Sequence, residues 1–244
     1  MDAILLCMKK RGIRFFSKMR FVNADVQKYH ERNSFLAHLR NNKQETENVI
    51  VIAHGWNDAI LTTTSDPMKQ YKVYISAEEA SAFYNDFVFA VSCLTANEFG
   101  QKCIDSGTRV YLGYQIEIGN LFNASLSAAS QVPKRIEIAI NTIVKHIFVE
   151  SLSEAYEDFL TNTVSVNSLR EYFSFLLEKK ISTLLDLDLD SLYSDYGIKI
   201  ISRHYEKYIT TLVLRVLSDL NDILPKLVCL GDGSYISSTY IKHC

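Results

Sequence analysis

Short, largely apolar runs recur along the first half of the chain, each bounded by polar or turn-forming residues. They cover residues 3–8, Val49 to Ala53, Asp86 to Val91 and Arg109 to Tyr114. Runs of this length and β-branched content predict strands buried on both faces. Residues 12–22 also read as extended. Between the runs the period changes. Val26 to Asn42 carries Tyr29, Phe35, Leu36 and Leu39 at helical spacing, with Asn41-Asn42 as the stop. Ser76-Ala77-Glu78-Glu79 has the Ser-x-x-Glu form of a capping box and predicts a helix to about Asn85. A further helix to about Asp105 follows the third run. Residues 56–77, polar at first and then alternating at Tyr71, Val73 and Ile75, predict a loop and a short hairpin over the sheet rim. Strand–helix alternation of this kind predicts an α/β fold, a mostly parallel sheet flanked by helices.

After residue 120 the pattern is helical and strands nearly vanish. Ile136, Ile140, Ile143, Val144 and Ile147 form one stripe, and Leu169, Tyr172, Phe173, Leu176 and Leu177 a second. Leu212, Val216, Leu217, Leu220 and Leu224 form a third. Stripes of this width are core-packing faces. The expected organisation is an α/β core over residues 1–120 and a helical extension packed on it over residues 121–244. Leu184 to Asp190 alternates Leu with Asp and reads as a solvated turn or helix end, since it lacks the Gly and Glu spacing of a calcium loop.

Composition narrows the function classes. The 244 residues are 48% hydrophobic with a formal net charge of −2, and Lys and Arg are scattered, so the footprint of a nucleic-acid binder is missing. No apolar run approaches the roughly 18 residues of a membrane span. Five cysteines at irregular spacing suggest neither a disulfide framework nor a zinc site. The apolar stretch at the N-terminus is too short for a signal sequence and reads as a first strand. The expected setting is reducing, hence cytoplasmic, with no cofactor and no metal.

Two of the apolar runs end in reactive residues. Val49–Ala53 leads into His54-Gly55, and Asp86–Val91 into Ser92-Cys93. Parallel strands that stop there put an imidazole and a thiol on the carboxyl rim of one sheet, where open α/β sheets carry their sites. A base beside a thiol is the minimum for a cysteine nucleophile. Gly55 offers a sharp turn and a backbone N–H for an oxyanion. Cys93 is expected at a helix start, where the dipole would lower its pKa. Cys103 is expected in the core on the next helix, and His146 and His204 in helical segments with surface or packing roles.

The ordered set Val49–Gly55, Ser76-Ala77-Glu78-Glu79-Ala80 and Phe87-Val88-Phe89-Ala90-Val91-Ser92-Cys93-Leu94-Thr95-Ala96 resembles caspase-like cysteine peptidases, in particular their CHAT branch. Ser106-Gly107-Thr108 before the run at Arg109 matches the next segment of that pattern, and Ser151-Leu152-Ser153-Glu154-Ala155 resembles a helix start further downstream. The resemblance spans roughly residues 45–160. It implies a caspase-like sheet and a Cys-His dyad in which Cys93 attacks and His54 transfers protons. Gly55 and Cys93 would supply the oxyanion donors. Asp58 is a candidate orienter, Trp56 either walls the cleft or packs beneath the hairpin, and Glu117 and Asp105 are candidates for selecting a basic side chain. It further implies a protein substrate, a regulatory protein partner and, by analogy with bacterial relatives, a stress or antiphage setting.

A generic signalling or interaction module of helical type is disfavoured by the strand-rich first half, and two closer rivals are set against this reading. Ala53-His54-Gly55-Trp56 also resembles the oxyanion loop of α/β-hydrolases, but no Gly-x-nucleophile-x-Gly elbow surrounds Cys93, and the His precedes the Cys. The other is a catalytically inactive caspase-like scaffold that binds partners through its helical half. An intracellular peptidase needs restraint, expected either from a partner or from closure of loop 56–75 over the cleft.

Overall fold

The computed structural model describes residues 3–7, 14–42, 47–63, 71–122, 134–186 and 206–237. Six strands form one sheet: β1 (Ala3–Cys7), β2 (Val26–Tyr29), β3 (Asn48–Ile52), β7 (Phe87–Val91), β8 (Val110–Tyr114) and β9 (Leu227–Gly231). Their order is β2-β1-β3-β7-β8-β9, parallel throughout except for the antiparallel pair β8–β9. Every residue of β1, β3, β7 and β8 is buried, which is why these strands read as unbroken apolar runs. A second, antiparallel sheet of β4 (His54–Trp56), β5 (Ala59–Thr63) and β6 (Tyr71–Ser76) is inserted between β3 and β7. It contains the expected hairpin and begins at His54.

Helices cover both faces of the main sheet. On one side lie α1 (Arg32–Asn41), a 3-10 turn at Ala77–Phe83 and α2 (Glu98–Asp105), joined by the aromatic contacts Phe35–Phe83, Phe83–Phe99 and Phe99–Tyr111. On the other lie α3 (Lys134–Thr161) and α4 (Val166–Ser182), whose Tyr156, Phe159 and Phe173 meet Phe87 and Phe89 of β7. Phe87 and Phe89, two residues apart on β7, thus face the same helical layer, as the pleat requires. The last helix, α5 (Glu206–Ile223), presents Leu212, Val216 and Leu220 as buried residues. All three predicted stripes are largely buried, and a single apolar cluster runs through both halves of the chain.

The structure departs from expectation at several elements. Arg14–Lys18 is a 3-10 turn, not an extended run. Its Phe16 is buried against Phe122 and Phe148, so tertiary packing decides its conformation. The expected helix from Val26 is divided into β2 and α1: Val-Gln-Lys-Tyr is an edge strand that is nowhere fully buried and lacks an apolar signature. The capping box at Ser76 and Glu79 forms as predicted, but it opens a tight 3-10 turn. Arg32 also pairs with the Glu79 carboxylate, tying that turn to α1. Ser151–Ala155 lies inside α3 and is no helix start. β9 returns the chain to the sheet after a long helical stretch. The alternating Leu/Asp segment begins as a 3-10 turn at Thr183–Leu185, and residues 187–190, His204 and Cys244 lie outside the described residues. Among the described residues no helix is long and apolar enough to cross a membrane.

Candidate active site

The parallel register of the two central strands pairs Ile52 with Val91. Each strand then continues to its reactive residue, Ala53-His54 on one side and Ser92-Cys93 on the other. The Ser92 hydroxyl donates to the Ala53 carbonyl at 3.0 Å, clamping the two strand ends together. His54 and Cys93 both line one cleft of about 390 Å³ at this carboxyl rim. The Tyr71 ring from β6 lies against the imidazole, with centroids 4.8 Å apart.

Cys93 does not begin a helix. Residues 93–97 form a turn, and α2 starts at Glu98. Leu94 within that turn has φ 61°, a left-handed conformation uncommon for a non-glycine residue and typical of constrained sites. The turn is pinned on all sides: Leu94 N–H donates to Ile116 O at 3.2 Å, Ala96 N–H to Tyr114 O at 3.1 Å, and Gly100 N–H to Thr95 O at 2.7 Å. The buried Thr95 hydroxyl donates to the Ser92 carbonyl at 3.3 Å.

The thiol is half-buried, and burial pushes its pKa above the ordinary thiol value. Backbone N–H groups of Ile118 and Gly119 work in the opposite direction, whereas the nearby Glu117 charge adds to the upward shift. The Ile118 N–H lies 3.4 Å from the sulfur. The expected lowering of the pKa by a helix dipole is therefore overturned, because desolvation outweighs the donors and Cys93 stands in a turn ahead of α2, not at the start of that helix. At neutral pH the resting thiol is protonated.

Gly55 has a different reason for being glycine than a turn. It lies in β4 opposite Ile60, without a left-handed φ. A Cβ there would collide with the Cys93 carbonyl oxygen and fall 2.6 Å from Thr95 Cγ2 and 2.8 Å from Ser92 Oγ. The backbone of the second sheet thus rests directly on the Cys93 turn.

The remaining candidates divide. Trp56 lines the cleft and is 53% exposed, so it walls the opening and does not pack beneath the hairpin. Glu117 lines it as well. Asp58, at the exposed β4–β5 turn, is not among the described residues that line the cleft. Asp105 ends α2, where it accepts from the Gln101 side chain at 2.8 Å, away from the cleft. Cys103 is buried on α2 as expected. Sequence reasoning missed Phe16, Ile118, Gly119, Phe122 and Lys145, which line the cleft from the first 3-10 turn, the segment after β8 and α3. None carries a local pattern that marks it; each arrives by tertiary packing.

An imidazole and a thiol in one cleft can pass a proton between them as an electrophile enters, which activates the sulfur. Among the described residues no group of three or more His, Cys, Asp or Glu side chains is placed to hold a metal ion. No protein-family model matches the chain, and no curated protein matches it.

Proposed function

We propose that the chain is a caspase-like cysteine endopeptidase acting through Cys93 and His54. One observation carries the reading: the thiol and the imidazole sit at the ends of adjacent parallel strands and line the same cleft. As Cys93 Sγ attacks the scissile carbonyl carbon, its proton passes to the His54 imidazole. The tetrahedral oxyanion is held by backbone N–H groups, with Gly55 and Cys93 as the proposed donors. His54 returns the proton to the leaving nitrogen, the C–N bond breaks, and a thioester remains. Water then attacks the thioester, giving a proton to His54. Collapse expels the sulfur, which takes that proton back as the acid product leaves.

The cleft contributes to substrate choice. Trp56, Leu61 and Tyr71 offer an apolar wall on the side of the second sheet, and Glu117 offers a carboxylate beside the thiol. A basic side chain before the scissile bond suits that carboxylate. Asp58 retains no orienting role in this proposal. The substrate is a protein in a reducing, cytoplasmic setting, and control falls to a regulatory partner in a stress or antiphage response. Loop 56–75 is the other candidate for control; residues 64–70 of it lie outside the described residues.

A second reading, an inactive scaffold of the same fold, draws on the raised thiol pKa and the backbone donors crowded on the sulfur. One experiment separates the two: labelling of wild type, Cys93→Ala and His54→Ala with peptidyl acyloxymethyl ketones bearing Arg, Lys, Leu or Asp. Labelling of wild type by the Arg or Lys probe, lost in both variants, is the expected result. Absence of labelling with every probe, with candidate partners present, would leave the scaffold.

A further inference from the structure

A second recess, of about 260 Å³, lies between the Arg14–Lys18 turn and α3. Lys145 lines both this recess and the candidate catalytic cleft. Phe15 lines the recess and Phe16 the cleft, and their rings stack at 4.2 Å. The two spaces therefore lie side by side and share a wall in which Lys145 stands.

The charge of the recess has one sign. Lys18 and Lys145 line it together with Thr142 and His146, and no carboxylate is among its described lining residues. Lys145 Nζ lies 5.8 Å from the centroid of the Phe15 ring. Lys145 joins no ion pair among the described residues. Burial holds its ammonium below the ordinary lysine range. A partly desolvated cation that faces an aromatic ring and has no counter-charge among the described residues is disposed to bind an anion. Size then selects among anions. Pockets for free small-molecule ligands run from about 300 to 1,000 Å³, and this one is smaller, so a single side chain suits it better than a nucleotide or cofactor.

We propose that the recess is a subsite for an acidic side chain of the peptide that occupies the cleft. Lys145 and Lys18 meet its carboxylate, and Phe15 packs on its methylenes. The proposal rests on the peptide-hydrolase reading of the cleft. It makes the cleft bipolar: Glu117 beside the thiol favours a basic residue there, and Lys145 favours an acidic residue on the side of α3. Glu117 and Lys145 both line the cleft yet do not pair with each other.

The test uses the full-length Cys93→Ala protein, which binds without cleaving. Backbone amide NMR is followed during titration with the α-amide of N-acetylglutamic acid and, separately, with that of N-acetylglutamine. The expected result is a carboxylate-dependent shift of the amides between Thr142 and Val149, weakened at least about tenfold by Lys145→Gln. Equal shifts with both ligands, or shifts indifferent to Lys145→Gln, would overturn the subsite. A random-background peptide array on the same protein, with one position fixed as Glu or Gln, identifies the occupant. A Glu preference lost in Lys145→Gln supports the proposal. A carboxylate-dependent NMR shift alongside an array that binds nothing would overturn the peptide occupant and place the fault in the peptide-hydrolase reading.

Discussion

The Gly55 backbone rests against the Cys93 turn so closely that residue 55 has no room for a Cβ. The obstruction is mainly backbone, the Cys93 carbonyl, with Thr95 and Ser92 side chains on the other sides. Thr95 is buried and both hydroxyls are engaged, so none of the three can swing aside. Gly55→Ala must separate the second sheet from the turn. Overpacking of this kind typically destabilises by about 1–3 kcal/mol. The expected outcome is a lower thermal midpoint and a loss of probe labelling larger than the stability loss accounts for, because His54 and Cys93 sit on the two parts forced apart. Labelling at the wild-type rate in Gly55→Ala would show that the contact does not set the dyad.

The pH dependence of Cys93 follows from its raised pKa. Burial favours the neutral thiol, and the Glu117 charge adds to that effect. Alkylation by iodoacetamide, which needs thiolate, is expected to be slower at pH 7 than for an unhindered cysteine. It should climb about tenfold per pH unit until it passes the ordinary thiol value near 8.5. Glu117→Gln removes a charge that opposes the thiolate, so its profile should move toward lower pH. The alkylation rate against pH, measured on both proteins, checks the sign. A Glu117→Gln profile moved toward higher pH would contradict the arrangement.

At the opposite end of β7, Asp86 is 3% exposed and accepts from the Glu47 backbone N–H at 3.1 Å. Burial, with the Glu47 charge as a lesser contribution, raises its pKa to about 8 despite that hydrogen bond. Its carboxyl is thus neutral in the native state at pH 6, whereas an unfolded Asp ionises near pH 3.9. Below that value both states are protonated and the native state carries no penalty. As pH rises from about 4 to about 8 only the unfolded state releases its proton, so stability falls by up to about 1.4 kcal/mol per pH unit. Above about 8 the loss levels off. Asp86→Asn keeps an acceptor for the Glu47 N–H and removes the titration. Denaturant midpoints from pH 4 to pH 8 are expected to be flatter in the variant than in wild type. Parallel curves would refute a neutral Asp86.

The parts of this fold that were legible are those in which burial writes itself into consecutive residues. β3 and β7 are buried on both faces, so their ends could be read, and with them His54 and Cys93. β2 was hidden because an edge strand of Val-Gln-Lys-Tyr has nothing apolar to repeat. β9 was hidden for a different reason: Leu-Val-Cys-Leu-Gly follows α5 and is extended only because β8 offers it an antiparallel partner. The same distinction holds in the site. The thiol was readable, but its pKa was not, since that depends first on burial and then on Ile118, Gly119 and Glu117 arriving from beyond β8. Lys145 reaches the cleft from the middle of a long helix whose sequence there shows only packing periodicity.

Asn97 shows how the Cys93 turn is tied to its surroundings, and it supports the last prediction. It holds the N-cap position of α2, where an Asn side chain ordinarily accepts from a helix N–H. Here it makes no such bond. Its amide instead donates to Asn57 Oδ1 at 3.1 Å and to the Gln115 carbonyl at 3.2 Å. Phe99 N–H donates to the Asn57 carbonyl at 2.7 Å. One side chain therefore joins the β4–β5 turn, which follows Trp56, to the segment that leads to the sulfur-facing Ile118. Net values for such bonds are about 0.5–1.5 kcal/mol each, and partial exposure places these toward the lower end. Asn97→Ala should thus cost about 1–2 kcal/mol in stability. Its effect on the site should be distinctive: with the Gln115 segment released, the Ile118 N–H holds the sulfur less firmly and the thiol pKa rises further. Iodoacetamide profiles of Asn97→Ala should therefore shift toward higher pH, opposite to Glu117→Gln. Asn97→Asp isolates the donor: it keeps an oxygen at the N-cap, which can accept from α2, but cannot donate to the Gln115 carbonyl. It is expected to recover stability and to leave the thiol profile shifted. Recovery of both by Asp would mean that helix capping, and not the bridge to Gln115, is what Asn97 contributes.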